Sequence, residues 1–333
     1  MSLYLTVRAL AAALALGACA TVPVQPFVPE IPDGWTPVTA VVRPVGLGLL
    51  PGARLAPGVR FAGGIEIDAD PASPLHSLSD LKIINGDLFS VSDAGDLVQA
   101  HLRLGPRGRL TSIDAPRLRR LTLMDGSPIT DKTDGDAEGL TITASGELLI
   151  SFERRHRIWN YGPPTTPVGS PTAVASPNYA FPNNTGMEGL AAAPGGWRVA
   201  GEGGGVWDCA PAGCVTVIAP PEPPLADTEY RITGLDLDPT RDGWFVIQRR
   251  FREPADIRAR IRHMSVDGSL GPVLVELKHP GTVDNFEGIA AVAGASATRI
   301  YILSDDNFSA RQRTLLLAFD LNPARRVRPF PTP

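Results

Sequence analysis

The stretch Asp136-Ala137-Glu138-Gly139-Leu140-Thr141-Ile142, followed by Gly146-Glu147-Leu148-Leu149-Ile150-Ser151-Phe152-Glu153-Arg154, reads as a short apolar strand, a turn at Ser145-Gly146, and a second strand that ends in charge. The same plan recurs. Met187-Glu188-Gly189-Leu190 leads into Trp197–Glu202, Ile232-Thr233-Gly234-Leu235 into Trp244–Arg249, and Phe286-Glu287-Gly288-Ile289 into Ile300–Asp305. Ser79-Asp80-Leu81, leading into Leu88–Asp93, is an earlier and less regular copy. Self-similarity at a period of roughly 40–50 residues or more marks a repeat architecture in which each unit buries its apolar face on the next.

Composition agrees. Of 333 residues, 43% are hydrophobic, so a core can form, and the 34 Gly and 33 Pro favour many short strands joined by turns over helices. The formal net charge of −4 gives no polyanion-binding surface, and nucleic acid is not expected as a partner. The arginine clusters Arg117–Arg120 and Arg258–Arg262 read as solvated strand faces.

Outward from the repeat, the first unit offers strands at Leu81–Ile84, Leu88–Ser92, Leu97–Leu104 and Leu118–Leu123, with Asn85-Gly86 as a hairpin turn. The second offers Leu140–Thr143, Leu148–Phe152, Arg157–Tyr161 and a strand around Ala173–Ala175. Four antiparallel strands per unit, repeated, predict an all-β fold, a single β-propeller. The apolar run Gly63–Asp68 precedes the first unit, and the last unit ends at Leu315–Asp320. The N-terminal strand is therefore expected to complete the last blade, which would remove exposed edges. The unit starts predict five blades. The loops Pro163–Pro182 and Pro220–Tyr230 leave six open.

Residues 1–18 read as a lipoprotein signal peptide: Arg8 gives a positive start and Ala9–Leu16 a short apolar run. That run is too short to span a bilayer, which takes about 20 apolar residues. Leu16-Gly17-Ala18-Cys19 looks like a bacterial lipobox with Cys19 as the lipidated residue, an ordinary secretory signal being the alternative. Residues 19–37 are proline-rich and read as an extended tether, leaving 38–333 as the propeller. The expectation is a periplasmic, lipid-anchored monomer, with the outer membrane favoured and contact to the membrane through the lipid alone. Cys209 and Cys214, separated by Ala-Pro-Ala-Gly, are expected to form a disulfide, which an oxidising compartment allows. A metal site is the poorer alternative, since no histidine lies near.

In a propeller the loops at one mouth of the central channel carry the site. The residue preceding Gly-Leu is Asp80, Glu138, Glu188, Thr233 or Glu287, a ring of carboxylates around one axis. Such a ring needs a cation or basic partners. Glu138, Glu188 and Glu287 are thus candidate ligands for Ca²⁺, which takes hard oxygen donors. Arg154, Arg231 and Arg249, at similar repeat positions, are the competing counter-ions. The second-strand ends, Asp93, Glu153-Arg154, Glu202, Gln248-Arg249 and Asp305-Asp306-Asn307, should gather at the same mouth. Carboxylates interleaved with Arg suit an ester or an anionic substrate. Glu138, Glu188, Glu287 and Glu153 are the candidate catalytic groups. Arg154, Arg249, Arg231, Asp93, Asp305 and Asn307 are the candidate substrate contacts, and His156 is the nearest histidine. The sequence carries no Gly-x-Ser-x-Gly elbow, no His-Glu-x-x-His site and no phosphate loop.

Leu78-Ser79-Asp80-Leu81 with Ser92-Asp93, Asp134–Leu140 with Ser151–Arg154, and Asn285–Ile289 with Ser304–Phe308 and Gln312-Arg313 resemble the phytase-like, esterase-like propeller family of bacteria across about residues 60–320. The resemblance implies a propeller, export, and hydrolysis of esters or phosphoesters, here of a small substrate. Ser79-Asp80 departs from it, standing where the family usually has Ser-Gly, so Asp80 need not match the later glutamates. A non-catalytic propeller that binds a ligand or an envelope protein at the same mouth is the rival reading.

Overall fold

A computed structural model describes residues 34–70, 73–252, 256–294 and 296–322. Strands account for nearly all of its regular structure, with one four-residue helical turn, Lys132–Gly135, and one short 3-10 turn. The signal segment, Cys19 and most of the proline-rich stretch lie outside the described residues. No described helix is long and apolar enough to cross a membrane.

Four-stranded antiparallel units follow one another along the described chain; a parallel bridge between Gly63 and Leu110 joins the first and the last into one ten-stranded sheet, and Ala53–Leu55 adds a fifth strand to the unit that starts at Arg231. Their first strands are Leu78–Ile84, Ala137–Ile142, Gly189–Ala193, Arg231–Leu237 and Asn285–Ala293. Each packs against the next, and the fifth packs against the first, so the inner strands close a ring. The fold is a β-propeller. Apolar residues alternate inward on both faces of each sheet, and one cluster fills every gap between neighbouring sheets. The Asn85-Gly86 hairpin forms as expected, with both residues at positive φ (51° and 88°).

The recurring glycines lie where inner strands touch. A Cβ on Gly234 would stand 2.3 Å from the Glu287 carbonyl oxygen, and one on Gly288 2.9 Å from Asp80 Cα. Side chains add hydrogen bonds across the same seams. Ser151 Oγ donates to the Met187 carbonyl at 2.7 Å, and Thr233 Oγ1 to the Phe286 carbonyl at 2.9 Å.

Val59–Ala69 closes the ring, running antiparallel to Thr314–Leu321 as the outer strand of the fifth sheet. It is longer than the expected Gly63–Asp68, and Ala40–Pro44 pairs along its other edge. Two further expectations are corrected. The outer strand of the first sheet is Leu110–Arg120, not Leu118–Leu123. Ala115 at φ 46° and the following Pro116 interrupt its alternation, so the sequence pattern hides its first half. The tether does not extend to residue 37. Thr36–Pro37 pairs with Arg117–Leu118, and the Arg117 guanidinium lies 4.7 Å from the Trp35 ring. In the loop Pro163–Pro182, Thr172–Ala173 supplies the short fourth strand of the second sheet.

Cys209 and Cys214 form a disulfide across the hairpin of the third sheet. Such a bond fits an oxidising environment. The arginine clusters are strand-face groups with local partners: Arg120 forks onto Asp96, Arg260 onto Glu276, and Arg262 donates to the Gly271 and Leu270 carbonyls.

Candidate functional site

Register explains how the inner strands aim side chains at the channel mouth. In four of the five sheets the first two strands slip by one residue at the same point, and the extra residue is Ser79, Glu138, Thr233 or Glu287. A bulged residue leaves the ladder and re-aims its side chain. Glu188 sits at the matching place, just before its strand begins at Gly189. The ring therefore consists of Ser79, Glu138, Glu188, Thr233 and Glu287.

Asp80 is not in it. Asp80 pairs with Val91 as Gly139 pairs with Ser151 and Gly288 with Leu303, so it occupies the glycine position. Its carboxylate accepts from the Leu81, Leu140 and Ile289 amides at 2.8, 3.1 and 3.2 Å and from Lys82 Nζ at 2.9 Å. Asp80 thus clamps the inner strands of three sheets. The bulge puts Ser79 rather than Asp80 in the ring, in keeping with Ser-Asp standing where the family this chain resembles has Ser-Gly, and Asp80 bridges strands that the other repeats bring together at a glycine.

The second-strand ends gather at the same mouth. Asp93 accepts from Ser79 Oγ at 2.9 Å and from Lys132 Nζ at 2.6 Å. Asp136 accepts from Arg154 Nε at 2.5 Å, and Lys132 Nζ stands 3.1 Å from its other oxygen. Arg154 holds φ at 57°, a strained conformation for a side chain of this size, and Asn307 and Phe308 repeat the feature at the fifth sheet. Glu202 binds Arg231 at 2.8 Å and Arg249 at 3.1 Å. Arg249 also lies 3.5 Å from Glu287, which accepts from Asn285 Nδ2 at 2.8 Å. Asp305 is buried and receives the Asn307 amide, while the Asn307 side chain is exposed.

Carboxyl groups outnumber cations here. Asp93, Asp136, Glu138, Glu153, Glu188, Glu202, Glu287 and Asp305 face Lys132, Arg154, Arg231 and Arg249. Glu138 and Glu188 are both buried, and neither carboxyl accepts a hydrogen bond from a described residue. Burial, and then the field of Glu188, Asp93, Asp136 and Glu153, holds the Glu138 pKa well above the usual carboxyl range. Glu188 is raised in the same way, by burial and then by Glu202 and Glu153. Burial pushes Glu153 up to about 8, with Asp136 and Glu202 adding to it. It pushes Glu287 to about 7, against the pull of Arg249. Arg249 stays charged: burial works against its cation, but Glu287, Glu202 and Glu188 outweigh that.

Among the described residues, the carboxylates whose oxygens approach one another as ligands would are Asp93, Asp136 and Glu138, all within 4.8 Å. Glu188 and Glu287 are not part of this group, so the geometry differs from the expected Glu138–Glu188–Glu287 set. Asp136 and Lys132 were not singled out as site residues from sequence. Asp136 could have been found from its place two residues before Glu138, where it ends the turn Lys132–Gly135 and leads into the inner strand. His156 stacks on Phe181 with centroids 5.2 Å apart, and its Nε2 lies 3.0 Å from the Pro182 carbonyl. Burial lowers its pKa. These contacts tie it to the loop beside the mouth.

Residues 73–308 match the phytase-like family described as "Esterase-like activity of phytase". The chain belongs to that family. The match spans all five inner strands of this phytase-like chain and every mouth residue named above. No curated protein matches it. Similar solved structures include virginiamycin B lyase from Staphylococcus aureus, at 10% identity and TM-score 0.39, covering 85% of this chain and 100% of that one. The Malassezia sympodialis allergen Mala s 1 is similar at 13% identity and TM-score 0.42, covering 87% and 97%. The PQQ-bound aldose sugar dehydrogenase of Streptomyces coelicolor gives 12% identity and TM-score 0.35, covering 86% and 99%. Likenesses at this level carry nothing to the site.

Proposed function

We propose that this phytase-like chain is an exported hydrolase, and that the mouth of the ring hydrolyses a small ester or phosphoester. The observation that carries the reading is Glu138: a buried carboxyl without a hydrogen-bond donor, facing Asp93 and Asp136, beside arginines that already sit in an acidic field. A carboxyl whose pKa is raised by burial and neighbouring carboxylates holds its proton more tightly than a free one, as a general acid does. Glu138, Glu188 and Glu287 hold a cation or activate water, Glu138 and Glu188 taking a proton only once a cation beside them favours their ionised form. Glu153, with its pKa near 8, is protonated at neutral pH and suits donation to a leaving group. Arg154, Arg249 and Arg231 receive the anionic group, with Asp93, Asp305 and Asn307 completing the rim. The all-oxygen donor set Asp93–Asp136–Glu138 fits a hard divalent cation such as Ca²⁺, with Glu188 and Glu287 farther round the ring. Such a cation would polarise a substrate oxygen or lower the pKa of bound water. Export as a lipoprotein anchored through Cys19, in the periplasm and on the outer membrane, is part of the same reading. So is a monomer that meets no nucleic acid.

The test is a panel of nitrophenyl esters and phosphates, assayed with calcium and with chelator. Turnover that survives in both Glu138→Gln and Glu287→Gln would sink the assigned chemistry. One observation favours the rival, a non-catalytic periplasmic propeller that binds a ligand or an envelope protein. Lys132, Arg154, Arg231 and Arg249 are all already paired with carboxylates, so an incoming anion must displace an existing partner. Absence of turnover across the panel, with retained binding of a carboxylate or phosphate ligand, selects that reading.

A further inference from the structure

Lys132 stands where the acidic group would place a cation. Its ammonium lies 2.6 Å from Asp93 Oδ2 and 3.1 Å from Asp136 Oδ1. Each aspartate is held from behind by something else: Asp93 Oδ1 by Ser79 Oγ at 2.9 Å, and Asp136 Oδ2 by Arg154 Nε at 2.5 Å. The two oxygens that face Lys132 are therefore oriented without it. The third member, Glu138, is nine-tenths buried and accepts no hydrogen bond from a described residue, although its oxygen lies within 4.8 Å of those of both aspartates. One ammonium partners Asp93 and Asp136 and leaves Glu138 unbonded.

The lysine is also built to leave. Its side chain is 49% exposed, whereas that of Asp136 is 1% exposed. It projects from the turn Lys132–Gly135, whose start is capped by Asp131 through the Asp134 amide at 3.0 Å, a bond that does not involve the lysine side chain. A lysine stem is long and flexible, and its ammonium is well hydrated once released. A divalent cation in its place would take six to eight oxygens at about 2.3–2.6 Å, and so could use the Glu138 carboxylate that the ammonium leaves idle.

We propose that Lys132 is a tethered, displaceable cation. It fills the Asp93–Asp136–Glu138 site when divalent metal is scarce, and it swings out when Ca²⁺ or a similar hard cation enters. Lys132 then sets the concentration at which the mouth accepts metal. The inference rests on reading this corner of the mouth as a cation site, but not on any hydrolysis.

Isothermal titration with Ca²⁺, without substrate, tests it in wild type, Lys132→Met, and Lys132→Met combined with Glu138→Gln. The expected result is at least tenfold tighter Ca²⁺ binding in Lys132→Met, returning to wild-type affinity or weaker when Glu138→Gln is added. Equal or weaker binding in Lys132→Met, or no binding in either protein, overturns the proposal. A second measurement avoids dependence on the variant's folding. In the wild-type chain, amine labelling of Lys132 read by mass spectrometry should rise when Ca²⁺ is added, and an unchanged rate overturns the proposal. Because neither readout involves turnover, loss of the hydrolase reading would be seen separately, in the ester and phosphate panel.

Discussion

Glu138 concentrates the conflict between stability and use. Its carboxyl is buried among like charges without a donor, so replacing it by the neutral isostere should relieve the fold and disable the site. On the proposed hydrolysis, Glu138→Gln is expected to lower kcat by about a hundredfold or more, as removal of a general acid or base does, while Tm stays level or rises. A fall in Tm with unchanged kcat would make Glu138 a structural group. The position was legible from sequence because Gly-Leu recurs beside it. Asp80 stands at the glycine position, as the Ser-Asp in place of the family's Ser-Gly suggests, whereas spacing alone does not show that Ser79 is the residue pushed out by a bulge. Lys132 left no trace in the repeat, since it lies in the connection between two sheets and reaches the mouth only through the turn Lys132–Gly135.

Between elements, the inner seams set the tolerance of the fold. Gly234→Ala would drive a Cβ against the Glu287 carbonyl oxygen, a backbone atom that cannot yield cheaply. A cost of about 1–3 kcal/mol is expected, of the size found for overpacked cores. Gly169→Ala, at a glycine with nothing within 4 Å and no positive φ, is the neutral or mildly stabilising control in the same urea titration. The Asp80–Lys82 clamp predicts more. Lys82→Met leaves a fully buried carboxylate with only amide donors, and losing one partner of such a pair costs about 3–5 kcal/mol. The Cys209–Cys214 bridge spans only five residues in sequence, so the double Cys→Ala variant should lose about 2 kcal/mol in the chain-entropy account. The bridge could be expected from the Pro and Gly between the cysteines. The bulges that aim Glu138 and Glu287 could not, because a slip in register is a property of two strands together.

At the scale of the molecule, the crowded mouth ties stability to pH. Glu153 near 8 and Glu287 near 7 hold protons in the folded state that the unfolded chain, with carboxyl pKa values near 4.3, has already released. The folded state binds more protons across that window, so its stability is full below the unfolded value and is lost as pH rises through 7 and 8. His76, whose pKa is raised by its hydrogen bond to Asp306, acts in the same direction. Tm measured from pH 5 to 8 should therefore fall, and saturating Ca²⁺ should flatten the slope. A flat profile in chelator would contradict the burial assigned to these carboxyls. Finally, Val59–Ala69 finds its partner at Thr314–Leu321, at the other extreme of the described chain. As the polypeptide leaves a ribosome or a translocation pore, this strand appears among the first; Ala40–Pro44 can pair with its Ile65–Ala69 half at once, but its other edge waits for nearly the whole remaining length. During that interval the edge meant for Thr314–Leu321 is open to wrong partners. Synthesis rate and chaperone capture should therefore govern the yield of this protein more than its final stability does, and a circular permutant that opens between the sheets, leaving Thr314–Leu321 and Val59–Ala69 adjacent in time, should reach the native state faster than the natural order.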